Sequence, residues 1–288
     1  MERFANLDES TALLYTVLTR ISNGGNALVT IESNWLDLAK IARSGQTFRW
    51  RAVGVESLYV IPALGRELRA TQVSPGRVEF ACDEDEWSNI WWKYLDMDTD
   101  YESIAAAVDP DDAYLTAACE AARGLRMLRQ DFWETTASFI CSQNNNIPRI
   151  TGMLSRICGV CGGFPDPARL VSVGREPLAA CGLGYRLDYL IRAAEQFVAD
   201  QPEQFIRQYN YDDARKYLLT FYGIGPKVAD CICLYGLGLT GAFPRDVWVK
   251  RIEREQYGGA FPVERYPETA GILQLFMFWH ERMRVKDS

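Results

Sequence analysis

Histidine is almost missing from this 288-residue chain, with His280 the only one. Eight cysteines are present, but only Cys158-Gly159-Val160-Cys161 has metal-ligand spacing. No second such pair and no second histidine complete a structural zinc set, so no metal and no cofactor are expected. Several cysteines sit in apolar helical contexts, where a thiol packs as a small hydrophobe; reduced thiols are expected. No apolar run is long enough to span a bilayer and no signal peptide opens the chain, which excludes a membrane partner and points to a cytoplasmic, nucleoid or nuclear protein. Positive charge is also short: 31 Lys and Arg against 38 Asp and Glu leave a net charge of −7. A uniformly basic surface of the kind that phosphate recognition favours is thereby excluded. The charges are unevenly spread, however. Asp83, Glu84, Asp85, Glu86, Asp96, Asp98 and Asp100 lie in the first half and read as a solvated face. Arg123, Arg126, Arg129, Arg149, Arg156 and Arg186 lie in the middle and leave room for a local basic groove.

What is present is ordinary for a folded protein: 48% hydrophobic and 24% charged residues, without repeats or low-complexity stretches. Residues 26–32, 46–52, 57–63, 66–73 and 77–82 are short, β-leaning and punctuated by Gly45, Gly54, Gly65 and Pro75-Gly76. They predict an antiparallel sheet. Helices are predicted near 85–95 and 99–108. Beyond about residue 112 the pattern is helical, near 111–127, 131–143, 147–161, 186–200, 203–208, 211–221, 226–237, 246–256 and 267–284. The expected fold class is α+β: residues 1–112 as an N-terminal antiparallel-sheet domain with helices, packed on an all-α domain, 113–288.

One segment carries chemistry. Leu218-Leu219-Thr220-Phe221-Tyr222-Gly223-Ile224-Gly225-Pro226-Lys227-Val228-Ala229-Asp230 reads as helix, glycine hairpin, helix, and Phe243-Pro244-Arg245-Asp246-Val247 follows as a turn bearing an acid. Gly223 and Gly225 can take backbone angles barred to other residues and let the main chain approach a ligand closely. Amides just before a helix N-terminus suit a phosphate. Pro226 fits the first helical position. Lys227 at the helix start has its ammonium form disfavoured by the positive dipole end, and it shares a face with Cys231. As an amine it is a candidate nucleophile; its bland alternative is a surface lysine. Asp246 is a good helix N-cap and also a carboxylate that can stabilise developing positive charge.

The block resembles the helix-hairpin-helix, Gly/Pro-Asp superfamily of DNA glycosylases. Ser44-Gly45-Gln46-Thr47-Phe48-Arg49-Trp50, Ser138-Phe139-Ile140-Cys141-Ser142-Gln143-Asn144-Asn145-Asn146-Ile147, Gly182-Leu183-Gly184-Tyr185-Arg186 and Lys227-Val228-Ala229-Asp230-Cys231-Ile232-Cys233-Leu234 narrow the resemblance to the eukaryotic-type 8-oxoguanine DNA glycosylases. Related repair glycosylases carry an iron–sulfur loop after the catalytic acid; no cysteine follows Cys233 here. The resemblance implies a bifunctional glycosylase and abasic-site lyase with Lys227 as nucleophile and Asp246 stabilising the sugar cation. It implies a monomer acting on duplex DNA that contains 8-oxoguanine opposite cytosine.

It also assigns recognition residues. The lesion turns N7 from an acceptor into a donor, and Gly45 matches the residue whose carbonyl meets that hydrogen; a strand-entry turn is its alternative. Gln274 and Phe278, four apart on the last helix, match the residues that bond the Watson–Crick edge and stack on the flipped base, with Cys231 on its other face. Core packing is the alternative for Phe278. Asn144 matches the residue entering the gap, Tyr185 the wedge, and Arg149 and Arg186 the readers of the orphan cytosine. Pro148 departs from the pattern beside Arg149, and Trp248 stands where better-known members have histidine touching phosphate. Two rivals remain at this point: a glycosylase for alkylated bases on the same fold, and a non-catalytic DNA-binding module.

Overall fold

The computed structural model describes residues 16–21 and 27–286. It comprises two compact units, one of residues up to Arg129 together with those from Leu275 onward, the other Gln130–Gln274. The division falls at 129/130 rather than at 112/113, and most of the last helix joins the first unit.

In the first unit, strands β1 (Thr16–Ile21), β2 (Ala27–Glu32), β3 (Arg51–Val53), β4 (Val55–Ala63), β5 (Arg66–Ser74) and β6 (Arg77–Phe80) form one sheet in the order β1-β2-β6-β5-β4-β3, antiparallel throughout. The β4–β5 turn is Leu64-Gly65, both left-handed (φ 53° and 71°), which matches the twist of a two-residue hairpin. On β5, Leu68 and Ala70 are buried while Glu67 and Arg69 are exposed, the period-2 pattern of a sheet with one covered face. Helices α1 (Leu38–Arg43), α2 (84–94, with a π-helical turn at Trp87–Trp91), α3 (Tyr101–Ala106) and α4 (Ala113–Ala121) complete this part. Trp87 packs on Phe80 with ring centroids 4.6 Å apart.

The boundary lies late because Arg126 is wholly buried among first-unit carbonyls. Its guanidinium donates to the backbone oxygens of Leu95 (2.8 Å), Trp35 (3.1 Å), Thr99 (3.3 Å) and Asp96. Asp96, itself buried, accepts from Tyr101 Oη (2.6 Å) and Arg129 Nε (2.8 Å). Arg123 pairs with Glu102 and Glu120. Three of the arginines expected to line a basic groove are thus engaged inside one unit. The acidic run is likewise more than a solvated face: Asp83 and Asp100 cap helices, and Asp98 accepts from Trp92 Nε1.

Three local expectations differ, the first being strand β1 (Thr16–Ile21), which was not predicted. Residues 46–50 form no strand, because Gln46 is buried and spends its amide on Arg126 O (2.8 Å), Ser44 Oγ (3.0 Å) and the Leu128 amide (2.7 Å). Helix α1 was not predicted; six residues carry too little periodicity.

The second unit is helical: α5 (Phe132–Ser142), α6 (Ile147–Cys161), α7 (Pro167–Val173), α8 (Arg175–Ala179), α9 (Arg186–Asp200), α10 (Tyr211–Leu218), α11 (Pro226–Tyr235) and α12 (Val247–Gln256). The α7–α8 pair is a further addition to the sequence expectation. Residues 202–208 form two 3₁₀ turns, not an α-helix. Phe197 of α9 meets Phe132 (5.0 Å), Trp133 (4.8 Å) and Phe221 (5.5 Å), an aromatic core of the kind that dominates burial energetics. Every residue of α11 from Val228 to Tyr235 is buried. The last helix, α13 (Ala270–Lys286), contributes its first turn to this unit and the remainder to the other.

Candidate active site

In the second unit the chain turns from α10 into α11 through Tyr222-Gly223-Ile224-Gly225. Gly223 is left-handed (φ 86°), and a Cβ there would lie 2.2 Å from the Tyr189 ring, so only glycine fits. Gly225 differs from the expectation: its backbone is extended (φ −95°) and a Cβ would meet nothing within 4 Å. It is the N-cap of α11 yet offers no side-chain cap, and Pro226 follows at the first helical position. The hairpin therefore presents bare amides at a dipole end, the arrangement that attracts an anion.

Lys227 follows on the first turn of α11, half-buried. Its Nζ lies 5.1 Å from the Phe139 ring centroid, and Phe139 stacks on Tyr235 (5.5 Å, 9°). Cys231 lies one turn on from Lys227 along α11 and is buried. Burial pushes the Cys231 thiol up to about 11; the Lys227 charge pulls it back and the Asp246 carboxylate pushes it further. Burial, then Cys231, then Asp246 hold the Tyr235 phenol well above its ordinary range. Lysine, thiol, phenol and carboxylate thus share one electrostatic environment. Neither Tyr235 nor Phe139 was among the candidate site residues of the sequence.

Asp246 caps α12: its Oδ1 accepts from the amides of Trp248 (3.0 Å) and Val249 (2.9 Å). This fixes the carboxylate at a helix N-terminus. Trp248 is half-buried on the first turn of α12.

Beside the hairpin lies the turn after α5. Gln143 Nε2 donates to Gly223 O (3.0 Å), a tie the sequence did not reveal. Asn144 is exposed and left-handed (φ 47°), an unusual posture for a residue other than glycine. Its Nδ2 donates to Tyr185 Oη (3.1 Å), which donates to Gln143 O (3.3 Å). Asn144 and Tyr185 are therefore brought together. Arg149 and Arg186 are not presented alike. Arg149 is exposed on α6, its backbone amide donating to the Asn146 cap (3.1 Å). Arg186 is buried and donates to Gln143 O (2.8 Å from Nε), Asn144 O (3.1 Å) and Leu183 O (3.3 Å). In this state it holds the Asn144 turn.

Gln274 is buried and its Oε1 has no hydrogen-bond partner among the described residues, a costly state that a ligand donor would relieve. In the first unit, Gly45 is left-handed (φ 83°) and pinned by its neighbours: Ser44 Oγ bonds Ile41 O (2.7 Å), and Gln46 is held as above. Phe278 is only half-buried, whereas Leu275, Phe276, Met277 and Trp279 around it are buried. Phe276, not Phe278, is the core aromatic, stacked on Trp35 (5.6 Å). The ring of Phe278 carries Arg282 at 5.2 Å.

A helix-hairpin-helix with a lysine at its exit and a capping aspartate beyond defines a base-excision repair glycosylase fold. Residues 137–260 match the HhH-GPD superfamily base excision DNA repair protein family, and residues 28–136 the N-terminal domain of 8-oxoguanine DNA glycosylase. The chain belongs to the 8-oxoguanine DNA glycosylase family. It is 32% identical to the N-glycosylase/DNA lyase of Saccharomyces cerevisiae, over 80% of this chain and 70% of that one. An N-glycosylase/DNA lyase of Arabidopsis thaliana is 29% identical, over 73% and 63% respectively. Among solved structures, the Clostridium acetobutylicum 8-oxoguanine glycosylase/lyase bound to double-stranded DNA with cytosine opposite 8-oxoguanine has a TM-score of 0.85 at 25% identity, covering 94% of this chain and 98% of that one. A 3-methyladenine DNA glycosylase from Archaeoglobus fulgidus shares the fold at 20% identity (TM-score 0.65). No described helix is long and apolar enough to cross a membrane.

Proposed function

We propose that this chain excises 8-oxoguanine from duplex DNA, opposite cytosine, and then cleaves the strand at the resulting abasic site. The observation that carries this reading is Lys227 at the exit of the hairpin, on the first turn of α11 and over the Phe139 ring, with the Asp246 carboxylate fixed at the N-terminus of α12. The Lys227 amine attacks C1′ of the flipped nucleotide. The N-glycosidic bond breaks as the C–N bond to lysine forms, and the purine leaves with its bonding electrons and takes up a proton. The Asp246 carboxylate stabilises the positive charge that develops on the sugar. Ring opening yields a Schiff base, and loss of a C2′ proton expels the 3′ phosphate.

Recognition is assigned by chemistry. The Gly223 and Gly225 amides hold a backbone phosphate, with Trp248 donating its indole N–H to another. The Gly45 carbonyl accepts from N7–H of the lesion, a hydrogen that guanine lacks. The unsatisfied Gln274 Oε1 accepts from the Watson–Crick edge. Phe278 and Cys231 contact the two faces of the base. Asn144 enters the gap, Tyr185 wedges beside it, and Arg149 and Arg186 meet the orphan cytosine. Arg186 must exchange backbone carbonyls for that base.

Incubation with duplexes bearing 8-oxoguanine or 3-methyladenine opposite cytosine or thymine tests the reading. Base release and strand cleavage at 8-oxoguanine alone are expected. Release of 3-methyladenine without cleavage would overturn it.

A further inference from the structure

An aromatic ladder runs across the second unit from Tyr185 to two tyrosines not used above. Tyr185 meets Tyr189 edge-on (5.5 Å, 70°), and Tyr189 meets Tyr222 edge-on (5.3 Å, 83°). Gly223 rests on the face of Tyr189, so the middle rung is fixed by the hairpin itself. Tyr222 is 52% exposed, although it immediately precedes the hairpin glycine. Its ring carries the Arg192 guanidinium at 4.3 Å. Arg192 belongs to α9, with its side chain 54% exposed. Asp188 pairs with both Arg192 (3.3 Å) and Arg175 (2.9 Å), so two arginines share one carboxylate and a positive charge is left over.

An exposed tyrosine beside a phosphate-binding turn is poorly explained by packing. A guanidinium stacked on an aromatic ring loses less freedom on engaging an anion than a free one, because the ring has already fixed its plane. Its edge keeps donors available for a bidentate contact. The ladder also begins at Tyr185, which bonds Asn144, and ends beside the hairpin. A DNA strand gripped at both places passes this surface.

We propose that Arg192, oriented by Tyr222, is an additional phosphate contact for duplex DNA, continuous with the hairpin. This rests on the DNA-binding part of the reading above and is independent of its chemistry. Asp188 tempers the contact by sharing the charge.

The experiment is equilibrium binding to an undamaged duplex over a range of NaCl concentrations, which requires neither Lys227 nor Asp246 to act. Arg192→Ala should flatten the slope of log K against log salt by about 0.9, the value for one phosphate. Arg192→Lys should restore most of it. Tyr222→Ala should weaken binding several-fold with intact folding, since the side chain is exposed, and Tyr222→Phe should retain affinity. Asp188→Asn should strengthen binding. An unchanged slope in Arg192→Ala, or weaker binding in Asp188→Asn, would overturn the proposal. Loss of excision by Lys227→Gln with the Arg192 effect intact would leave both readings standing, whereas excision without Lys227 would remove only the catalytic one.

Discussion

Phe276 and Phe278 lie two residues apart on α13 and are expected to fail in opposite ways. Phe276 is fully buried against Trp35 and Tyr101. Truncation to alanine there should cost ~3–5 kcal/mol of stability, the usual range for a core Phe. Phe278 is half-buried with Arg282 over its ring, so its truncation should cost roughly half as much. Its functional loss should be selective. Base–aromatic stacking contributes ~1–3 kcal/mol, which is about 5- to 140-fold in affinity. Phe278→Ala should therefore lose that factor on a lesion duplex and almost nothing on a duplex with an abasic-site analogue, which has no base to stack. Both affinities are measured by titration at a temperature where the variant is folded by circular dichroism. Phe276→Ala, where it folds, should weaken both duplexes together. Equal losses on the two duplexes for Phe278→Ala would refute the stacking assignment.

The two hairpin glycines should separate in the same spirit. Gly223→Ala meets the Tyr189 ring and a left-handed backbone, so the melting temperature should fall, with a cost above ~2 kcal/mol; an unchanged transition would contradict the geometry. Gly225→Ala has open space and an ordinary φ, so it should fold normally and lose DNA affinity only; undiminished affinity would show that the phosphate sits elsewhere. Asp246→Asn keeps an N-cap side chain but loses the charge, so base release should slow ~10²–10³-fold with little change in melting; a rate that fell only in step with stability would leave Asp246 as a cap. Arg149→Ala, at an exposed position, should leave stability unchanged and reduce discrimination for cytosine by ~1–3 kcal/mol, read from excision rates opposite each base. Arg186→Ala should in addition lower stability, because three carbonyls lose their donor inside the protein.

Much of this was legible because the signals are local. The hairpin announces itself through Gly-x-Gly-Pro-Lys, and the Asp246 cap through its place before an amphipathic helix. The β4–β5 and β5–β6 turns were marked by Gly65 and Pro75-Gly76. What escaped depends on partners far apart in sequence. Arg126 looked like part of a basic groove, and only the fold shows it buried among the carbonyls of Trp35, Leu95, Asp96 and Thr99. That same cluster moves the boundary past α4. Gln46 turned an expected strand into a pinned loop through Arg126 and Leu128. The Arg186 grip on the Gln143-Asn144 turn cannot be read from Gly-Tyr-Arg, because backbone carbonyls leave no trace in side-chain patterns. Gly225 gave the reverse case: its residue type was informative, but the reason is open space beside the helix end rather than backbone angle.

The account stands on the Lys227 amine as the nucleophile. Sodium borohydride reduces a Schiff base to a stable link, so trapping on a duplex with 8-oxoguanine opposite cytosine reports the intermediate directly. The wild-type chain should give a covalent protein–DNA adduct, and peptide mapping should place it on Lys227. Lys227→Gln should bind the same duplex and give none. An adduct of undiminished yield in Lys227→Gln, or one mapped to another residue, would contradict the central claim.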